Sequence, residues 1–421
     1  MRVAFSYPAL PSLEIADSLL SGVYDTPGKR GRAKGDVVSE ALRLPIGCAP
    51  LRERLRPGQQ VLVLVDDLTR NTRVDLLLPP LLAELEQAGI QERDIRFMVA
   101  QGTHRAMTAA EKELKFGQQI VGRFDVLDHE WWNNAALEHL GVTPLGTDIW
   151  LNKAVLAADA VIGLGHIVPH RGAGFSGGAK IVQPGVCGPI TTGQTHWLAA
   201  RFPVSRILGQ VDNPPRREMN EVAKRAGLAF VLNSVQDSAG GLVAVVAGEP
   251  EAAYRAGAEV ARRTFGVDVP RPADIVIVEA CPTDSDFWQS TKALAAAGLV
   301  VKEGGVIILV SPCPEGVYAG HREAVLELGC KPFDQMERLV QSGKAPDLVV
   351  AACLAWAGDV SPGRAACIVV SDGLSQDELA CIGYRKAGDL PEAMAMAGDI
   401  LGKRGSVAVL RHGTELLPIP V

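Results

Sequence analysis

Four of the eight histidines fall in short blocks that trail apolar runs. His104 lies in "QGTHRAMT", His166 and His170 in "GHIVPHRGAGFSGGAK", and His196 in "PGVCGPITTGQTHW". Imidazole changes charge near neutral pH and is also a common metal ligand. Loops after strands are where reacting groups sit. Singly, each histidine reads as solvated or structural. Their grouping points to proton transfer or metal binding.

The segment "HRGAGFSGGAK" (170–180) looks like a phosphate cradle, but it is not a P-loop. Ala179 separates Gly178 from Lys180, and Ile181 follows the lysine, so no hydroxyl is available for Mg²⁺. The glycines, Gly177 and Gly178 among them, still permit close backbone approach to a phosphate or a planar group. Lys180 and His196 could set an amine and an imidazole against one bound cofactor. The segment also contains G-x-G-x-x-G at 172–177, the signature of a nicotinamide-dependent 2-hydroxy acid dehydrogenase. "HIVPHR" separates it from the preceding strand, and no acidic partner follows at the required distance.

Two further blocks carry charge to strand ends. "VLVLV" leads into "DDLTRNTR", where Asp67 and Arg70 read either as a helix cap with a surface arginine or as an anion clamp. "DIVIVEACPTDSDFWQSTK" places Trp288, Gln289 and Lys292 beyond a strand, with Gln289 and Lys292 on one helical face. This stretch is either an ordinary helix start or a second cationic group reaching across from another domain.

These blocks need elements to position them. Apolar runs recur at 61–65, 95–100, 160–165, 229–233, 241–248, 274–280, 304–310, 347–352, 366–372 and 406–413. Several are continuous rather than alternating, which predicts strands covered on both faces. Helical patterns at 76–90 and 322–343 lie between them. The expectation is α/β, with two α/β domains, largely parallel sheets, and an active site in the cleft between them. The two prolines in "GVDVPRPAD" place the boundary near 268: a cofactor-binding domain over 1–268 and a second domain over 269–421. The last strand, about 406–421, is expected to pack back on the first domain.

The bulk numbers agree with that expectation. The chain has 421 residues, 47% hydrophobic and 21% charged, with a net charge of −6. No basic block suggests nucleic acid, and no polybasic patch or long apolar run suggests a membrane. The start lacks a secretory leader pattern, and the eight scattered cysteines form no C-x-x-C pair. A cytoplasmic protein with reduced thiols is expected.

Four blocks together resemble the nickel-dependent lactate racemase family: Asp67-x-x-Arg70, "GTHR" with His104, the long "GHIVPHRGAGFSGGAK…PG…H" block, and Gln289-x-x-Lys292. The resemblance implies racemisation or epimerisation of a 2-hydroxy acid at C2, by reversible hydride transfer to a nickel-pincer nucleotide. It implies His104 and His170 as acid/base residues and His196 as the protein's nickel ligand. Lys180, Asp67, Ser176, Gly177 and Gly178 would lie on the cofactor side, and Arg70, Gln289, Lys292 and Trp288 on the substrate side. It also implies proteins that make and deliver the cofactor. The resemblance departs at Trp288, where lactate-acting members carry tyrosine, and gives His166 no role. Besides the dehydrogenase, the alternatives are a non-catalytic nickel-cofactor carrier and a zinc hydrolase using His104, His170 and His196.

Overall fold

The computed structural model describes residues 1–8, 10–26, 36–402 and 404–421. Two six-stranded sheets organise the chain. The first runs, edge to edge, Leu242–Gly248, Leu228–Gln236, Ala160–His166, Val61–Val65, Ile95–Val99, Asp125–Asp128. Only its first pair is antiparallel. The second runs Arg385–Ala387, Ala366–Val370, Val301–Val310, Ala273–Glu279, Val407–Leu410, Leu20–Tyr24, and every pair is parallel.

The continuous apolar runs are explained by the packing. In the first sheet Val61, Val63 and Val65 enter one core cluster, while Leu62 and Leu64 enter the cluster on the opposite face. In the second sheet Val276 and Val278 face one core and Ile275 and Ile277 the other. Side chains alternate between faces, and both faces are covered by helices, so every position must be apolar. Each such buried side chain contributes about 1.5–3 kcal/mol.

Three expectations need correction. The run at 347–352 is not a strand. It opens the helix Leu348–Val360, capped by Asp347, whose Oδ1 accepts the Val349 and Val350 amides. The alanines at 351, 352, 355 and 357 favour helix, and a helix apolar all round is what a buried one looks like. The pattern at 322–343 is two helices, Arg322–Leu328 and Phe333–Gln341, separated at Gly329 and Pro332. The final stretch is also two pieces. Val407–Leu410 sits inside the second sheet, and only Leu417–Pro420 turns back to pair with Gly266–Val269.

Leu20–Tyr24, from the start of the chain, completes the edge of the second sheet beside Val407–Leu410. A shared apolar cluster joins the halves: Phe175, Tyr254 and Phe265 from one side pack with Ala295 and Leu417 from the other. Helix Leu348–Val360 also packs on Pro189–Ala200. No helix among the described residues is long and apolar enough to cross a membrane.

Candidate active site

The parallel strands of the first sheet deliver their following residues to one edge. Asp66 and Asp67 follow Val65, Gln101 to His104 follow Val99, and His166 ends its strand. These residues, with His170, Ser176, Gly177, Lys180 and His196, line one cavity. Trp288, Gln289, Lys292, Trp356 and Thr414 line it from the second half. Of the twelve site residues expected from sequence, Gly178 alone does not line it.

Asp67 and His104 form a close polar pair in the cavity. His104 Nδ1 lies 2.7 Å from Asp67 Oδ2. Asp67 Oδ1 accepts the Thr69 amide at 3.0 Å and the Thr69 hydroxyl. Although burial opposes ionisation, His104, Arg70 and these hydrogen bonds hold the Asp67 carboxyl well below the usual range. His104 therefore keeps its proton on Nδ1 and leaves Nε2 free. Both Asp67 oxygens are engaged by protein groups, which makes Asp67 the brace of His104.

Lys115 fixes the loop that carries this pair. Its Nζ donates to the carbonyls of Asp67 (3.0 Å) and Arg70 (2.8 Å) and pairs with Asp66 at 2.8 Å. Asp66 also accepts from Thr72 Oγ1, which accepts in turn from His166 Nδ1 at 2.9 Å. His166 thus ends a buried chain of Lys115, Asp66 and Thr72.

His170 is placed differently from His104. Its Nδ1 accepts the Gly172 amide at 3.1 Å, so its proton sits on Nε2. Burial, followed by the charges of Lys180, Arg70 and Lys292, holds its pKa well below 6.5. His196 lies on Pro189–Ala200 and donates Nδ1–H to the Thr192 carbonyl one turn back, 2.8 Å away. Burial and Lys180 lower its pKa to about 4, so Nε2 carries a lone pair at neutral pH. The Trp356 ring stacks on the imidazole, with centroids 5.4 Å apart at 29°.

The cavity is strongly cationic. Burial and the Arg70 and Arg216 charges lower Lys180 to about 7. Burial, Arg70 and Lys180 hold Lys292 well below its usual value. Lys292 donates to Gln289 Oε1, and the Gln289 amide donates to the capping Asp286 at 2.8 Å. Trp288 packs against Tyr318 and His321, and the Arg105 amide donates to the Tyr318 hydroxyl at 3.0 Å.

The glycine-rich segment is not a bare cradle. It forms a small hairpin, Pro169–His170 against Gly174–Phe175. Ser176 Oγ accepts the Val168 amide at 2.9 Å and donates to the His166 carbonyl at 2.8 Å. Gly177 (φ +77) has no room for a Cβ, which would stand 2.5 Å from Ile167 Cγ1. The Gly178 amide donates to Asn233 Oδ1 at 2.9 Å. These contacts make Gly178 a packing position. The G-x-G-x-x-G residues lie in and just after the hairpin and precede a short 3₁₀ turn, Gly178–Ile181, instead of opening a helix after a strand, so the dinucleotide fingerprint is not formed. Among the described residues no group of three or more His, Cys, Asp or Glu is placed to hold a metal ion.

Sequence reading missed Lys115, Thr192 and Trp356. Thr192 precedes His196 by four and was findable from helical spacing. The other two act through contacts that exist only in the fold.

Residues 10–206 match the lactate racemase N-terminal domain, and residues 269–417 match the lactate racemase C-terminal domain. The lactate racemase of Thermoanaerobacterium thermosaccharolyticum is 29% identical over 96% of each chain. That of Lactiplantibacillus plantarum is 32% identical over 67% of this chain and 66% of that one. The structure of the T. thermosaccharolyticum lactate racemase apoprotein superposes with a TM-score of 0.86 at 28% identity, covering 99% of both chains. A Thermotoga maritima protein of known crystal structure shares the fold, with a TM-score of 0.76 at 22% identity over 92% of this chain and 100% of that one. Matched in both of its halves by lactate racemase domains, this chain belongs to the lactate racemase family and is an isomerase of the racemase type.

Proposed function

We propose that the protein racemises or epimerises a 2-hydroxy acid at C2, using His104 and His170 as the acid/base pair and a nickel-pincer nucleotide as cofactor. The carrying observation is the convergence of two imidazoles of opposite proton placement with Arg70 and Lys292 on one cavity. We also propose that the chain divides near residue 268, with Leu20–Tyr24 assigned to the second half.

The residues fit the cofactor. Arg70, Lys180 and Lys292 concentrate positive charge that calls for an anionic occupant, and a nucleotide phosphate with thiocarboxylates supplies it. Buried Arg171 Nε and Nη1 and Trp356 Nε1 line the same cavity with no partner among the described residues. His196, neutral and oriented by Thr192, is suited to hold nickel through Nε2. A single imidazole is one donor, so the remaining metal donors must come from the cofactor. Lys180, lowered to about 7, is suited to lie against a thiocarboxylate.

When bound, the cofactor supplies a hydride acceptor and donor. The chain supplies the rest. Arg70 and Lys292 hold the substrate carboxylate, fixing C2 and its hydroxyl. His104 Nε2 takes the hydroxyl proton, and the Asp67 carboxylate stabilises the imidazolium that results. His170 serves the opposite face. The Trp356 and Trp288 rings limit the entry of water. A carrier would need neither the braced His104 nor a second imidazole.

The test uses protein purified from a host that makes the cofactor, incubated with single enantiomers of aliphatic, aromatic and dicarboxylic 2-hydroxy acids. Chiral chromatography should show at least one substrate approaching an equal mixture from either side. A nickel-loaded enzyme that inverts none of them contradicts the proposal.

A further inference from the structure

The two halves of the chain meet mainly through apolar packing. Phe175, Tyr254 and Phe265 pack with Ala295 and Leu417, and helix Leu348–Val360 packs on Pro189–Ala200. Among the described residues, the Arg105 amide donating to the Tyr318 hydroxyl at 3.0 Å is the one hydrogen bond that joins residues 36–265 to residues 273–417. Apolar packing is non-directional, whereas a hydrogen bond fixes distance and angle. That directional contact falls on the residue after His104.

The peptide between His104 and Arg105 is held from both sides. Its carbonyl accepts Trp131 Nε1–H at 2.9 Å, from the same half as His104. Its amide donates to Tyr318, from the other half. With the Asp67 carboxylate on Nδ1, His104 is fixed at its ring and at its backbone. Tyr318 in turn is built into the substrate side of the cavity. Three backbone hydrogen bonds tie its loop to the start of helix Phe287–Val300: the Cys313 amide to the Asp284 carbonyl (3.2 Å), the Glu315 amide to the Ser285 carbonyl (2.8 Å), and the Phe287 amide to the Gly316 carbonyl (2.9 Å). The Trp288 ring, which lines the cavity, lies 6.5 Å from the Tyr318 ring and 4.7 Å from the His321 ring, centroid to centroid. Lys292 follows Trp288 by one turn on the same helix.

We propose that Tyr318 is a positioning residue whose hydroxyl holds His104 in register with Lys292 when the two halves close on substrate. The proposal rests on His104 as the acid/base group argued above. Tyr318 is not among the residues that line the cavity, so it acts through the Arg105 amide and not on the reacting atoms. Burial raises its pKa above the usual value, so the hydroxyl stays neutral and serves as the acceptor. His170 stands apart from this arrangement, in the hairpin Pro169–His170 against Gly174–Phe175. The contact therefore serves one of the two imidazoles. It makes the half that carries Gln289 and Lys292 set the backbone of a histidine on the other half, so the carboxylate clamp and the base are aligned by one closure.

The experiment compares the full-length wild type with Tyr318→Phe, which keeps the ring packing and loses only the hydroxyl, both purified from a host that makes the cofactor. Hydrogen–deuterium exchange resolved to single amides should quicken about three- to tenfold at Arg105, the scale of one neutral hydrogen bond, with nickel content and melting temperature unchanged. In single turnovers, 2-oxo acid formation should slow about three- to tenfold from the enantiomer served by His104 and keep its rate from the other. Unchanged exchange at Arg105 overturns the proposal, and so does equal slowing from both enantiomers. A wild type that forms no 2-oxo acid from any 2-hydroxy acid brings down the proposed function, whereas unchanged exchange in an active enzyme brings down the role of Tyr318 alone.

Discussion

Asp67 Oδ2 and His104 Nδ1 lie 2.7 Å apart, while His170 has no carboxylate against its ring among the described residues and instead accepts an amide from Gly172. These two cavity-lining imidazoles are therefore unequal. Asp67→Asn should lower turnover about 10²–10⁴-fold, the usual scale for a disabled acid/base group. In single turnovers its effect should fall mainly on the enantiomer whose hydroxyl is served by His104. Equal slowing of 2-oxo acid formation from both enantiomers would show that Asp67 acts on something other than His104.

His196→Ala should leave the fold intact and lose nickel, because a metal donor disappears. The measurement is the nickel-to-protein ratio by elemental analysis, with circular dichroism as the control for folding. Full nickel occupancy in the variant would end the assignment of His196 as ligand.

Lys115→Met should destabilise the protein by about 3–5 kcal/mol, the scale for removing one partner of a buried ion pair. Lys115 is 8% exposed and satisfies Asp66 and two loop carbonyls at once. Urea unfolding gives the number. A loss below about 1 kcal/mol would mean that the Asp67–Arg70 loop holds its shape without the lysine.

Stability should rise with pH between about 4 and 6.5. His129 and His196 both have folded pKa values lowered to about 4, chiefly by burial, below the 6.5 of the unfolded chain. In that window the unfolded state binds more protons, so acid favours unfolding, by up to about 1.4 kcal/mol per pH unit for each group. Unfolding midpoints measured across the window test this, and His196→Gln should flatten the slope. An unchanged slope in the variant would contradict the neutral, buried state of His196.

Much of this was legible in sequence for a physical reason. Strands such as Val61–Val65 and Ala273–Glu279 are buried on both faces, so their apolar runs are unbroken. The residues after them, His104 and Asp67 among them, fall by topology at the ligand-binding edge. The same signal misled at 347–352, because a short apolar run does not distinguish a buried strand from a buried helix. That error hid Trp356, which reaches His196 only because its helix packs across the two halves. The placement of Leu20–Tyr24 was illegible for another reason. Its partner, Val407–Leu410, is almost a whole chain away, and no local pattern records such pairing.

The central claim is that two histidines serve opposite faces of one substrate. The direct measurement is a rapid-quench single turnover of His104→Gln and His170→Gln, each loaded with cofactor, starting from each pure enantiomer and assaying the 2-oxo acid. The account predicts that each variant forms the oxo acid from one enantiomer only, with opposite preferences, and that neither completes racemisation. Two variants that react equally with both enantiomers would contradict it and leave a single base assisted by water.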